Sequence, residues 1–189
     1  MGALCSKGFG SSKRVSVDCP MEFVWESITD FHHYPEIMST ISSVHCLKED
    51  PGKAITCGTR WRETRSFRGR PVIITKTVTS VDDEQKDFKI VSIHSGFTEP
   101  QVGSADLGDA VYTSTFAVKR TAPQRCELHG SYAALYGPWK RRLVAACLEW
   151  YLPKAVDRAF DAELKDFANE ALARYRRSQV NKNSGQLDS

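Results

Sequence analysis

The chain has 189 residues, a formal net charge of +3 and a composition that is 41% hydrophobic, 26% charged and 10% aromatic. This length is typical of one domain with a single substantial core. The longest uncharged apolar run, residues 143–148, is far shorter than the ~20 residues that cross a bilayer, and a charge of +3 is too small to indicate nucleic acid binding. We therefore expect one folded domain with no membrane span and no nucleic acid partner.

The two ends of the chain differ in composition from the middle. Residues 1–12 are rich in Gly and Ser, which predicts a flexible segment, and they begin MGALCS, which matches the N-myristoylation pattern M-G-x-x-x-[ST] at Gly2. A single myristoyl chain binds membranes only marginally, so a second signal is expected, and Cys5 is a candidate palmitoylation site. The alternative is a tail that matches by chance. Residues 178–189 are polar without apolar periodicity, which predicts a disordered tail.

Ligand patterns for metals and cofactors are missing from the sequence. The six cysteines are scattered singly with no C-x-x-C pair, and His32 and His33 lack a third ligand at matching spacing. No phosphate-binding loop or nucleophile motif occurs either. We therefore expect no metal, no cofactor and reduced thiols in a cytoplasmic protein, which is peripherally anchored to a membrane if Gly2 is myristoylated.

The body of the chain, residues 13–177, begins with a strand and a helix. Residues 13–19 alternate apolar and polar side chains, as a half-buried strand does. Pro20 then opens a segment in which Val24, Trp25 and Ile28 recur at helical spacing. Residues 36–38 can form only a short second helix.

Strand-like segments separated by turn signals follow. They occupy residues 41–49, 59–67, 72–81, 88–95, 110–119 and 125–135. Six strands in consecutive hairpins predict an antiparallel sheet. The connection at residues 96–109 is longer than a hairpin needs; it is either a lid, with Phe97 and Leu107 closing over a ligand, or disordered.

The last part of the body has helical periodicity, from Pro138 to about residue 177. One face carries apolar side chains at Val156, Phe160, Leu164, Phe167, Ala171 and Tyr175. Pro153 is expected to kink this helix or to separate a leading segment from it. Near its start, Trp139 precedes three basic residues at 140–142, which form either a solvated patch or a contact with a membrane surface.

The order of elements and several short motifs resemble one known superfamily. The motifs are VDCPMEFVW at residues 17–25, ITDF at 28–31, Tyr34-Pro35 and CGTRW at 57–61. With the amphipathic terminal helix, they resemble the START/birch-pollen-allergen superfamily, in particular its polyketide cyclase/dehydratase-like branch. The resemblance implies an α+β helix-grip fold: a curved antiparallel sheet of about seven strands wrapped around a long C-terminal helix, with two short helices after the first strand. It also implies a hydrophobic cavity that carries lipids, sterols, quinones or polyketides.

The strand at residues 59–67 contains the main candidate site. Trp61, Glu63, Arg65 and Phe67 share one face of it, because strand side chains alternate. Two aromatic rings mixed with two opposite charges are typical of a cavity wall, where a few polar groups orient an apolar ligand. The alternative is that Glu63 and Arg65 lie at a sheet edge and are solvated.

Four further residues complete the predicted ligand-binding set. Tyr112 and Tyr132 either point a hydroxyl into the cavity or simply pack, and Phe160 lies on the apolar face of the terminal helix. His94 either faces the cavity or is a hydrogen-bonded core or edge residue. An acid–base reaction needs a titratable group in the pocket, for which the candidates are Glu63, His94 and Tyr112.

Three functions remain open at this point. The favoured one is binding or transfer of a hydrophobic small molecule at a membrane surface. The second is a cyclase or dehydratase that moves a proton on a bound polyketide-like carbonyl compound. The third is a membrane-tethered interaction adapter whose cavity is vestigial. The absence of catalytic motifs favours the first over the second.

Overall fold

A computed structural model describes residues 8–48, 55–67, 70–97, 111–135 and 152–185. Within these ranges the strands are β1 (Gly8–Val17), β2 (Ile41–Lys48), β3 (Arg60–Phe67), β4 (Arg70–Asp82), β5 (Phe88–Phe97), β6 (Val111–Ala122) and β7 (Arg125–Leu135). They form one sheet in the order β1-β7-β6-β5-β4-β3-β2, and every neighbouring pair is antiparallel. The edge strands are therefore β1 and β2.

The helices lie on the inner face of this sheet. The first, α1 (Met21–Thr29), is followed by a 3₁₀ turn (Phe31–His33) and by the short α2 (Tyr34–Ile37). The long helix α3 (Leu152–Gly185) packs against α1, α2, β1 and β7. A curved antiparallel sheet around a long C-terminal helix is the helix-grip fold, so the predicted architecture is confirmed. No helix in the described ranges is long and apolar enough to cross a membrane.

The core forms where α3 meets the inner sheet face. Phe160 packs against Phe116 of β6 and Tyr132 of β7, with ring centroids 5.9 and 5.1 Å apart. Gly130 of β7 allows this close approach, because a Cβ atom there would lie only 2.6 Å from the Leu164 side chain. Burial of these large apolar side chains is the main stabilising contribution to the fold.

Some boundaries differ from those the sequence predicts. β1 begins at Gly8 rather than residue 13, because it pairs with β7 from Cys126 to its end, where Gly8 lies opposite Leu135. α3 continues to Gly185, eight residues beyond the predicted end at 177, so residues 178–185 are helical rather than a disordered tail. Pro153 lies in the first turn of α3, where a helix tolerates proline.

Several predicted features lie outside the described residues. These are the acylation sites Gly2 and Cys5, most of the long connection with Leu107, and the segment from Trp139 to the basic residues at 140–142. They stay predictions.

Candidate functional site

Strand β3 turns a mixed set of side chains toward the interior. Trp61 and Glu63 are fully buried, and the Arg65 side chain is only 17% exposed. The alternate residues Arg60 and Arg62 are exposed on the outer face. The two faces therefore divide as the strand period predicts, and the alternative in which Glu63 and Arg65 are solvated at a sheet edge is wrong. The side chain of Phe67 lies outside the described residues.

Glu63 is the centre of a buried ionic network. Trp61 Nε1 donates a hydrogen bond of 2.8 Å to Glu63 Oε1, and Arg65 Nε donates one of 2.7 Å to Oε2. The ammonium of Lys76, on the neighbouring strand β4, lies 3.5 Å from Oε1. Both carboxylate oxygens thus have partners, as a buried charge requires.

A second carboxylate, from α3, closes the network. Arg65 Nη1 donates a 3.3 Å hydrogen bond to Glu163 Oε2, and Lys76 Nζ lies 3.9 Å from Glu163 Oε1. Two carboxylates and two cations thus face one another between the sheet and the helix. We call these four residues, Glu63, Arg65, Lys76 and Glu163, the buried ionic network. Its formal charges sum to zero, which is the condition under which buried ions persist.

The network shifts the pKa values of Glu63 and Arg65 toward their charged forms. Burial raises the pKa of Glu63, but the charges of Lys76 and Arg65 and the hydrogen bonds from Trp61 and Arg65 outweigh it, so that the pKa lies below its ordinary value. Burial lowers the pKa of Arg65, but Glu163 and Glu63 raise it above the ordinary value. Burial, followed by the charge of Glu63, holds the pKa of Tyr34 well above its ordinary value, so this phenol stays neutral.

One hydrogen-bond donor of the network lacks an acceptor among the described residues. Arg65 Nη2 is buried and has no hydrogen-bond partner among the described residues. A buried donor without an acceptor is costly and uncommon in folded proteins. Arg65 therefore presents a buried N–H group that has no acceptor among the described residues.

Sequence reasoning missed two members of the network, Lys76 and Glu163. Lys76 has a signal in retrospect, since it stands between Ile74 and Val78 on the inner face of a strand rich in Val, Ile and Thr. Its Cα is the cross-strand partner of Trp61. Glu163 has a weaker signal, because it directly precedes Leu164 on the helix and only the packing of α3 brings it to Arg65.

The structure does not bring His94 to this site. His94 is exposed on the outer face of β5, whereas its neighbours Ile93 and Ser95 are buried on the inner face. The prediction that His94 faces the interior beside Glu63 is therefore wrong. The two-residue period of β5 places His94 on the same face as Ile90 and Ser92, and that face is the outer one.

The other predicted binding residues lie on the inner side. Tyr112 is half-buried on the same face of β6 as Phe116. Tyr132 donates a 3.2 Å hydrogen bond from its hydroxyl to Asp157 Oδ1, and its ring packs against Phe160. Tyr132 and Phe160 thus contribute to the contact between sheet and helix, and a role in ligand binding stays a prediction.

A separate concavity of about 450 Å³ lies where the end of α1 meets α3, and its lining is charged. Asp30 Oδ1 lies 2.8 Å from His33 Nδ1, and Asp30 Oδ2 accepts a 2.9 Å hydrogen bond from Arg174. Burial raises the pKa of Asp30, but its hydrogen bonds with His33 and Arg174 bring it below the ordinary value, and the same contact with Asp30 raises the pKa of His33. These ion pairs connect α1 to α3, so this concavity is a poor match for an apolar ligand.

In the described ranges, no group of three or more His, Cys, Asp and Glu side chains is placed to hold a metal ion.

Comparison with family models decides the classification. The model described as "Polyketide cyclase / dehydrase and lipid transport" matches residues 10–171, which include β1 from Gly10 onward, all of β2 to β7 and most of α3. The chain belongs to this family. None of the curated proteins matches the chain significantly.

Solved structures with the same fold confirm the architecture of this family member. A hypothetical protein of Helicobacter pylori, jhp0584, has a TM-score of 0.67 at 12% identity over 86% of this chain and 88% of its own. The Zhui aromatase/cyclase of Streptomyces sp. R1128 has 0.63 at 18% identity over 89% and 96%. Norcoclaurine synthase of Thalictrum flavum has 0.63 at 16% identity over 91% and 99%. At these identities the likeness is one of fold alone.

Proposed function

We propose that this protein binds an apolar small molecule that carries a polar oxygen group, such as a lipid, sterol, quinone or polyketide-like compound, between the inner sheet face and α3. The observation that carries the proposal is the buried Nη2 of Arg65, which lacks an acceptor among the described residues. A single oriented donor in a largely apolar interior fixes how a ligand enters without requiring a charge on it. The family description, which includes lipid transport, supports the same class of ligand.

Charge balance further restricts the chemical class of the proposed ligand. The ionic network already pairs two carboxylates with two cations. An anionic head group would leave one buried charge without a counterion, whereas a carbonyl or hydroxyl oxygen accepts from Arg65 at no electrostatic cost. The proposed ligand is therefore neutral at the atom that contacts Arg65.

The enzyme alternative, a cyclase or dehydratase, has less support. Glu63 is a poor general base, because both of its oxygens accept hydrogen bonds and its pKa is lowered. His94 faces outward, which leaves Tyr112 as the other candidate on the inner side. The family description covers both cyclases and lipid transport, so this alternative rests on the family alone.

Native mass spectrometry of purified protein tests the binding proposal. We expect a co-purifying small molecule and about ten-fold weaker retention of it in Arg65→Lys, since lysine keeps the charge but lacks the guanidinium donor. Arg62→Lys on the outer face is the matched control and is expected to retain the ligand as wild type does. An interior free of any small molecule would overturn the proposal and favour an interaction adapter.

The proposed setting is a membrane surface, reached through acylation of the N-terminus. Gly2 fits the myristoylation pattern, and Cys5 would supply the second signal that stable anchoring needs. Labelling cells with a myristate analogue should mark the wild-type protein and leave Gly2→Ala unmarked, because only an N-terminal glycine is acylated. Loss of the label in Cys5→Ser as well would show that the label is not a myristoyl group on Gly2, whereas an unlabelled wild type would end this part of the proposal.

A further inference from the structure

The outer face of the sheet carries a cluster of basic side chains that the proposed ligand site does not use. We call it the outer basic patch and define it as His45 of β2, Arg60 and Arg62 of β3, and His94 of β5, all of which are exposed. The strand register makes them neighbours. Arg62 is the cross-strand partner of His45, and Thr77 of β4 is the partner of both Arg60 and His94.

Among the described residues beside the patch, no side chain supplies a compensating negative charge. The outer face of residues 41–47, 60–66, 71–80 and 90–96 has no Asp or Glu, since Glu63 points inward, and the outer-face carboxylate of β4, Asp82, lies at the far end of that strand opposite Ile90. Neither Arg60 nor Arg62 has an ion pair with a described residue. Two arginines on other strands, Arg14 of β1 and Arg120 of β6, differ in this respect. Arg14 pairs with Glu127, and Arg120 pairs with Glu22 and Asp87.

An exposed apolar side chain lies beside the patch. Leu47 is 40% exposed and follows His45 in the edge strand β2. It falls in a register irregularity between Cys46, opposite Trp61, and Lys48, opposite Arg60. Leu47 is therefore next to the Arg60 position but outside the regular pairing. An exposed leucine beside two arginines could make both contacts of a membrane-surface site, because the apolar group can insert while the cations contact phosphate.

We propose that the outer basic patch and Leu47 form a docking surface for a bilayer that contains anionic phospholipids. The inference deepens the membrane-surface part of the proposed function by naming the face of the protein that meets the lipid. Charge complementarity alone would also suit a nucleic acid. Leu47 decides for the bilayer, since a phosphodiester backbone offers no partner for an exposed leucine. A protein held by a single acyl chain needs a second attraction for stable membrane binding. Docking through this face would supply it as an electrostatic attraction.

Vesicle cosedimentation of the full chain, produced without N-myristoyltransferase, tests this surface apart from the acyl anchor. At low ionic strength we expect binding to phosphatidylcholine vesicles that contain phosphatidylserine and little binding to phosphatidylcholine alone. Each cation near an anionic surface raises the partitioning of a protein onto the membrane about five-fold. The double variant Arg60→Gln with Arg62→Gln loses two such contributions and should bind about 30-fold more weakly. Leu47→Ser should weaken it as well, by removing the inserted group.

The matched control is Arg14→Gln with Lys119→Gln, which removes two exposed outer-face cations on other strands. We expect this control to bind within about two-fold of wild type, because its two cations lie outside the proposed docking surface. If they contacted the bilayer, each would contribute about five-fold. The proposal is overturned if the control loses as much binding as the patch variant, if the patch variant binds as wild type does, or if wild type binds single-stranded RNA but no vesicles. Native mass spectrometry on the patch variant separates the two proposals, because its interior ligand should be unchanged whichever way the vesicle result falls.

Discussion

Replacing Glu63 by Gln is expected to lower the free energy of unfolding by about 3–5 kcal/mol at neutral pH, because it leaves two buried cations with a single counterion. Glu63 is fully buried and accepts from Trp61 and Arg65, with Lys76 3.5 Å away. The amide can still accept one hydrogen bond, but it cannot balance the charge. Urea unfolding followed by tryptophan fluorescence measures the loss.

Two comparisons make this expectation specific to the network. Glu127→Gln removes a half-exposed carboxylate from a 3.6 Å ion pair with Arg14 and should cost less than about 1 kcal/mol. Glu63→Met combined with Lys76→Met removes one charge of each sign and leaves Arg65 paired with Glu163, so it should cost less than Glu63→Gln alone. A loss of under about 1 kcal/mol for Glu63→Gln would contradict the network as a stabilising unit.

The same substitution has a predictable pH dependence. The pKa of Glu63 in the folded protein lies below its ordinary value of 4.5, so its contribution to stability is fully present above that value and is lost as the pH falls through the folded-state pKa. The difference in unfolding free energy between wild type and Glu63→Gln should therefore be constant near neutrality and shrink below about pH 4.5. A difference that grows on acidification would show that the folded-state pKa is raised instead.

Replacing Phe167 by Ala should cost about 3–5 kcal/mol, the range for removing a large buried aromatic side chain. Phe167 is fully buried on α3 and meets Phe116 of β6 and Tyr34 of α2 edge to face, with centroids 5.6 and 5.4 Å apart. One side chain thus connects the helix to the sheet and to the short helices. Thermal and urea denaturation monitored by circular dichroism give the loss.

Val180→Ala provides the control on the same helix. Val180 is 63% exposed, so its truncation should change the unfolding free energy by no more than about 0.5 kcal/mol. Both substitutions raise helix propensity, so a loss in Phe167→Ala reports packing of α3 on the sheet, and a loss no larger than that of Val180→Ala would contradict this contact.

The charge balance of the buried ionic network is compatible with the proposed apolar ligand. Within the network the formal charges cancel, and Arg65 Nη2 is the buried nitrogen without a hydrogen-bond partner among the described residues. A ligand of the proposed kind would therefore meet balanced charges and one N–H donor that it could satisfy. We expect such an arrangement to orient the ligand more than to attract it.

Local patterns predicted most of the secondary structure and one wall of the site. The two-residue period of β3 assigns Trp61, Glu63 and Arg65 to one face whatever the rest of the chain does. The same period groups His94 with Ile90 and Ser92, but period alone does not say which face of a strand is inside. That choice depends on which face the helices cover, and for β5 they cover the face of Val91 and Ile93.

The sequence by itself determined the order of elements and the separation of polar from apolar strand faces, because each follows from interactions over a few residues. The helix-grip architecture was predicted from the resemblance to a known superfamily. Only the tertiary structure decided that Glu63 and Arg65 are buried rather than solvated, and that Lys76 and Glu163 complete their charge balance. Glu163 lies 98 residues from Arg65 along the chain. A contact over that distance depends on how α3 sits on the sheet, which is set by the packing of the whole core rather than by any local pattern.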